Sequence, residues 1–364
     1  MPGKLIVDEI EDSGGTSVIG RKNYIINGGM LISQRGTSFA SPTSTDYTLD
    51  RWQNTYSQDT GATTISQSST SPDLFGSSLK IDCTTAEATV DAGNYWLLRQ
   101  SFEGQDLQNL GYGTSSAKAL TISFWVYSTK TGTFAVSLYN DDAAKSYVAD
   151  VTVDSASTWE KKTVTIAGDT ASGFNNDNGR SLILNIGLNA GSTFQTTAGS
   201  WTSGAFFGTS NTDNFLDNTS NDFYITGVQM EIGSVATDFE VRPIAEEQNL
   251  CDRYYQVIAV GSGKVIAQGW YITATGFEAS MRLRNFMRTV PSLDQVTGTN
   301  YYRILYSSGG AGVTDYINSF TMNSGASNPD LVQLTTGDDS GVGGQPGLYQ
   351  TQNANAFLGL DAEL

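Results

Sequence analysis

The chain has 364 residues, 20 Lys and Arg against 37 Asp and Glu, no His, and a formal net charge of −17. That field repels phosphate backbones and anionic membranes, so nucleic acid is not an expected partner, and without histidine Ser-His-Asp catalysis, Cys-His catalysis and His-ligated zinc are excluded. Charged residues are only 16%, while 39 Gly, 7 Pro and abundant Ser, Thr and Asn punctuate short apolar runs, the pattern of an all-β protein with room for two or three domains.

Residues 1–22 contain one short apolar stretch, Lys4-Leu5-Ile6-Val7-Asp8-Glu9-Ile10, followed by a turn-rich segment. A lone strand leaves Leu5, Ile6, Val7 and Ile10 wet unless something covers them. They are candidate attachment residues, pairing with another protein or another copy of the chain; the other reading is a strand added to the following domain. No signal-peptide pattern opens the chain, and no run of about 18 apolar residues offers membrane insertion.

Residues 23–245 read as a jelly roll. Asn23-Tyr24-Ile25-Ile26-Asn27-Gly28-Gly29-Met30 and Asp222-Phe223-Tyr224-Ile225-Thr226-Gly227-Val228-Gln229-Met230-Glu231 alternate apolar residues and are expected as its first and last strands. Between them strands are expected over 78–83, 95–102, 119–128, 133–140, 146–153, 160–166 and 181–188. In the 119–128 run Leu120, Ile122, Phe124 and Val126 share the core face, leaving Trp125 and Tyr127 on the other. Trp52 and Trp159 are expected to plug the sandwich ends. Tyr95-Trp96 and Trp270-Tyr271 each put one aromatic away from the core.

Between Leu188 and Asp222 runs a long loop rich in aromatics. Trp201, Phe206 and Phe207, with Asn211 and Asp213 nearby, offer ring platforms and polar partners for sugar hydroxyls and are the candidate glycan-binding residues; the alternative is that they pack the loop down.

Residues 246–364 read as a second, smaller β-sandwich-like domain. A connector helix over 246–255 places Leu250, Cys251 and Tyr254 on one side, and strands follow at 257–260, 265–272, 276–283, 301–306, 315–322 and 354–360. Asp338-Asp339-Ser340-Gly341 marks a loop. Cys83 and Cys251 fall in different domains, lack neighbours at metal-ligand spacing and read as reduced thiols, and no cofactor is expected.

Carboxylate chemistry is the one catalytic route left open, but the obvious pairs, Asp141-Asp142, Asp338-Asp339 and Glu246-Glu247, are adjacent residues in turn-like or connector sequence, so no enzyme is expected. Arg282, Arg284 and Arg288 form a basic cluster that could receive an anionic saccharide or pair with the surplus acids.

The 23–30 motif, Tyr47-Thr48-Leu49-Asp50-Arg51-Trp52, the 120–127 run with Lys130-Thr131-Gly132-Thr133, and residues 228–240 together resemble a tail-fibre-type domain of tailed bacteriophages. That domain is similar to the carbohydrate-binding jelly rolls attached to xylanases and related glycanases. The likeness continues through Arg253-Tyr254-Tyr255-Gln256, Met287-Arg288-Thr289-Val290-Pro291-Ser292 and Leu358-Gly359-Leu360-Asp361-Ala362-Glu363-Leu364, spanning nearly all of the chain beyond residue 22.

The resemblance implies a structural virion protein: a homotrimeric tail fibre made in the host cytoplasm, joined to other virion proteins through residues 1–22 and taking part in recognition of a host-surface glycan. A capsid-decorating or capsid-fibre protein, a free carbohydrate-binding module and a polysaccharide depolymerase are the alternatives. The glycanase modules often hold a structural calcium with a Glu and an Asp. The corresponding positions here are Leu31 and Thr226 or Gly227, and neither Leu31 nor Gly227 has a side-chain oxygen, so calcium is not supported there.

Overall fold

The computed structural model describes residues 23–58, 60–337 and 340–364. The expected attachment residues Leu5, Ile6, Val7 and Ile10, and the Asp338-Asp339 pair, lie outside these. The chain divides into two compact units between Pro243 and Ile244, with Leu364 belonging to the first.

The first unit is a two-sheet sandwich built from β1 (Ser38–Ala40), β2 (Gln53–Ser57), β3 (Ala62–Ser68), β4 (Ser78–Thr85), β5 (Tyr95–Glu103), β6 (Leu120–Ser128), β7 (Gly132–Asn140), β8 (Lys145–Val153), β9 (Glu160–Ile166), β10 (Arg180–Ala190), β11 (Trp201–Ser203) and β12 (Asp222–Ile232). One sheet runs β1-β3-β4-β12-β6-β9 and the other β11-β8-β7-β10-β5-β2, with all pairings antiparallel. Period-2 alternation sends Leu120, Ile122, Phe124 and Val126 inward from β6 to meet Leu182, Leu184, Ile186 and Leu188 of β10 and Trp96 and Leu98 of β5. This is the all-β jelly-roll-like sandwich that the alternation predicts.

β12 changes phase midway: Phe223 and Ile225 point inward, then Val228 and Met230 do. The switch falls at a bulge between Thr226 and Gln229, where Gly227 takes φ +61°. Residues 23–30 lie against that bulge and correct the expectation of a first strand. Asn27 and Met30 adopt left-handed φ of 58° and 57°, which ends any ladder. Side-chain amides supply the missing bonds. Asn23 Oδ1 accepts from Met230 N at 3.0 Å, Gln100 bonds both Ile26 N and Ile26 O at 2.8 and 2.9 Å, and Asn27 bonds Ile32 N and O at 2.9 and 2.8 Å. Gly28 is obligatory, since a Cβ there would meet Val228 O at 2.1 Å. Ile25, Met30 and Trp52 are fully buried, Trp52 donating to Asn27 O at 3.1 Å, so Trp52 does plug the sandwich. Trp159 does not: it is half-buried on an outer face.

The stretch between Leu188 and Asp222 is more ordered than the expected loop. It contains β11, the short 3-10 turns Ser192–Phe194 and Phe215–Asp217, and a fully buried Phe215.

The second unit opens with α1 (Ile244–Asp252), which starts directly after Pro243 and stops before Tyr254, so of the predicted apolar side Cys251 is buried on the helix and Tyr254 is buried just beyond it. There follow β13 (Tyr255–Val260), β14 (Val265–Tyr271), β15 (Phe277–Arg282), β16 (Ser292–Gln295), β17 (Tyr302–Ser308), β18 (Ala311–Ile317), β19 (Thr321–Met322), β20 (Leu331–Thr336), β21 (Pro346–Thr351) and β22 (Phe357–Asp361). They form sheets ordered β13-β22-β16 and β18-β17-β21-β14-β15-β20-β19 around a core of Tyr271, Phe277, Tyr302, Ile304, Leu334 and Tyr349. The single strand expected over 315–322 is instead the end of β18 and the separate β19. Cys83 and Cys251 are both free and buried, and burial pushes the Cys83 thiol up to about 11.

Candidate functional site

The predicted glycan loop is fastened to the second sheet of the first unit. Trp201 pairs across from Tyr147 in β8, donates its Nε1 to Ala167 O at 2.7 Å and sits edge-on to Tyr112 and Tyr147. Phe207 is buried, stacked on Phe194 at 5.4 Å and tilted against Tyr95 at 5.2 Å. Phe206 is half-buried, its backbone N bonded to Ser146 Oγ at 2.8 Å. Asn211 and Asp213 are exposed but engaged: Asn211 Nδ2 donates to Asp150 Oδ2 at 2.9 Å, and Asp213 accepts from Thr133 N at 2.7 Å. Trp201 and Asp213 therefore serve opposite ends of β7, and the five residues do not converge on one point.

The loop covers one end of the sheet's outer face, where Phe194 and Phe207 pack on Tyr95. Phe207 O lies 2.7 Å from where a Cβ on Gly187 would stand, so the chain crosses β10 there because that residue is glycine. Beyond that crossing the outer face of the second sheet continues with residues that the sequence reading did not single out. Register places Gln53, Arg99, Asn185, Ser137 and Val148 in one row across β2, β5, β10, β7 and β8. The next row toward the far end holds Ser101, Ile183 and Tyr139.

This floor is polar and incompletely bonded. Asn185 is 1% exposed; its Nδ2 reaches Ser137 Oγ at 3.3 Å, but its Oδ1 has no partner among the described residues, nor has Ser101 Oγ. Arg99 is half-buried, its Nε is shut from solvent, and no hydrogen bond or ion pair to it occurs among the described residues. Burial pulls its guanidinium down to about 10, with Arg180 pressing the same way and Tyr95, Tyr47 and Asp141 opposing. At the rim Arg180 Nε pairs with Asp141 Oδ2 at 2.9 Å, and Tyr139 beside them has its phenol raised, first by burial and then by Asp141. Half-buried tyrosines, an amide, an unmatched cation and an ion pair thus share one face. The signal was present in Tyr95-Trp96-Leu97-Leu98-Arg99-Gln100-Ser101, whose alternation sets Tyr95, Arg99 and Ser101 against the core residues Trp96 and Leu98.

The outer face of the first sheet is different. Tyr127 and Tyr224 meet edge-to-face at 5.2 Å, Trp159 lies 5.6 Å from Tyr127, and Lys80 pairs with Asp222 at 3.0 Å over the Tyr224 ring. Its groups satisfy one another.

The carboxylate pairs are divided among other tasks. Asp141 serves Arg180, whereas Asp142 accepts from Asn175 N and Nδ2 at 2.9 and 2.6 Å; Glu247 is buried in the first turn of α1 and Glu246 is exposed. The basic cluster of the second unit is matched: Arg282 to Asp330 at 2.8 Å, Arg284 to Asp252 at 3.6 Å, and Arg288 to the carbonyls of Ala362 and Glu363. At the calcium position Leu31 is exposed and the Thr226 hydroxyl donates to Ser77 O at 2.8 Å; among the described residues no group of three potential ligands gathers.

No family model and no curated protein matches the chain. Solved structures of similar form include a putative sugar binding protein from Bacteroides thetaiotaomicron, 13% identical, covering 58% of this chain and 100% of that one at TM-score 0.33. The family 11 carbohydrate-binding module of a Clostridium thermocellum cellulosomal cellulase is 14% identical over 55% of this chain and 97% of its own, at TM-score 0.29. The enzymatically active domain of tailspike protein 4 of bacteriophage CBA120 is 12% identical over 58% of this chain but only 21% of its own length, at TM-score 0.28. Likenesses this faint say nothing of ligand or role.

Proposed function

We propose that the protein is a glycan-binding structural component of a tailed-phage virion, a homotrimeric tail fibre that engages the host surface. The observation that supports the binding half is the part of the second sheet's outer face beyond the loop crossing, where the buried Asn185 Oδ1 and Ser101 Oγ have no partner among the described residues and half-buried Tyr139 stands beside them. Each buried polar atom left unmatched costs about 1–3 kcal/mol, and a sugar hydroxyl would remove that cost while the Tyr139 ring takes its apolar face. The virion half rests on the order of motifs from Asn23 to Leu364, and attachment through residues 1–22 follows from the same likeness.

Retention of the full chain on an array of neutral and acidic glycans tests the binding half. Wild type is retained and Tyr139→Ala is not; a chain that no glycan retains refutes it. Light scattering on the eluting protein tests the trimer, against which a clean monomer at micromolar concentration stands.

A further inference from the structure

Resting on that glycan-binding reading, we infer that the ligand is an acidic saccharide whose carboxylate is received by Arg99, with Asn185 and Ser101 beside it on the floor. The chain carries 37 acids and 20 bases, so acidic partners for arginine are plentiful, and Arg180, Arg282 and Arg284 all have one. Arg99 has none among the described residues, although its Nε is shut from water and Asn185 Oδ1 on the directly paired residue is also unbonded. A guanidinium so placed presents a fork of donors whose geometry matches a carboxylate bidentately. Arg180 is already paired with Asp141, so of the two it is Arg99 that is left to receive a carboxylate. The −17 charge repels anionic polymers at long range, so this short-range contact rather than steering has to carry the preference.

The test is calorimetric titration of the full chain with tetragalacturonic acid, its fully methyl-esterified form, 3′-sialyllactose and lactose. At least one acid binds at least tenfold more tightly than its neutral counterpart, the uronate and the sialoside being told apart by which arm responds. Arg99→Met erases the preference with the circular dichroism spectrum unchanged, and Arg99→Lys, which keeps the charge without the fork, falls between. Asn185→Asp sets an acid directly beside Arg99 and abolishes the preference from within; it decides the matter should Arg99→Met fail to fold. Equal binding of acid and neutral forms, untouched by either variant, overturns the inference and leaves glycan binding intact. Binding of none of the four, with no glycan retained on the array, removes both.

Discussion

The two outer faces of the first sandwich have the same architecture and opposite states of completion. On the first sheet Tyr127, Trp159 and Tyr224 cover one another, and Lys80 is held by Asp222. On the second, Arg99, Asn185 and Ser101 lie side by side with bonding capacity unused. Aromatic residues alone are a poor sign of a binding face, since rings readily serve as partners for rings. Unmatched polar atoms are more telling, because a fold gains nothing from leaving them so.

The sharpest check on this contrast is a charge that is matched within the same unit. Asp169 is 4% exposed and pairs with Lys145 at 2.9 Å. Burial pushes its carboxyl up, but the Lys145 hydrogen bond and Ala171 N outweigh this and hold it below the usual aspartate range. Lys145→Met leaves that acid alone and is expected to cost roughly 3 kcal/mol in urea unfolding at neutral pH. The depressed carboxyl stabilises the fold above the unfolded-state value and loses that contribution as pH falls through the folded one. Urea midpoints measured from about pH 6 to about pH 2 therefore decline for wild type, and the part of the decline that Asp169 contributes is lost in the variant, whose carboxyl is no longer held down by Lys145.

Trp159→Ala breaks the completed face. The residue is only half-buried, so a loss of about 2 kcal/mol is expected rather than the full cost of a core tryptophan, with glycan retention unchanged. Loss of retention would move the site to the first sheet.

Arg99→Met acts in the opposite direction. Burial has lowered this group's value in the fold, so below about pH 10 the folded state carries the cost of its charge. The variant should gain roughly 1–2 kcal/mol at neutral pH, a margin that narrows as pH rises past about 10 and wild-type Arg99 deprotonates. A destabilised Arg99→Met would make the arginine a structural residue.

The smallest effect is expected at Lys80. Burial would lower its ammonium, yet Asp222 more than compensates and raises it. Lys80→Met should cost no more than about 1 kcal/mol, and less in high salt, by the same urea assay.

The strands with strong period-2 patterns were legible from sequence: 78–83, 95–102, 119–128, 160–166 and 181–188 all fall within a residue or two of β4, β5, β6, β9 and β10. Polar strands were not. Gln53–Ser57 and Ala62–Ser68 are dominated by Thr, Ser, Gln and Asn, so tertiary pairing rather than local pattern sets them. Residues 23–30 misled for the converse reason, alternating like a strand while their side-chain partners come from Gln100, Asp50 and Val228. The candidate face escaped notice because its members are scattered over β5, β7 and β10, and only register brings Arg99, Asn185 and Ser137 together. By contrast, the aromatics of residues 194–207 were conspicuous in sequence, and of these Phe194 and Phe207 pack on each other and on Tyr95.

The anchoring of residues 23–30 also bears on synthesis. Asn23 bonds Val228 and Met230, and Arg242 donates to Asn23 O and to Ile25 O, contacts separated by more than two hundred positions in the chain. During translation the first described residues emerge long before their partners, so the sandwich cannot close until about residue 242 has left the ribosome. With contacts this remote, ordering is slow and arrives late. A stretch made early is thus secured late, and any chain released short of Arg242 would be left with Ile25, a core residue, without its clamp.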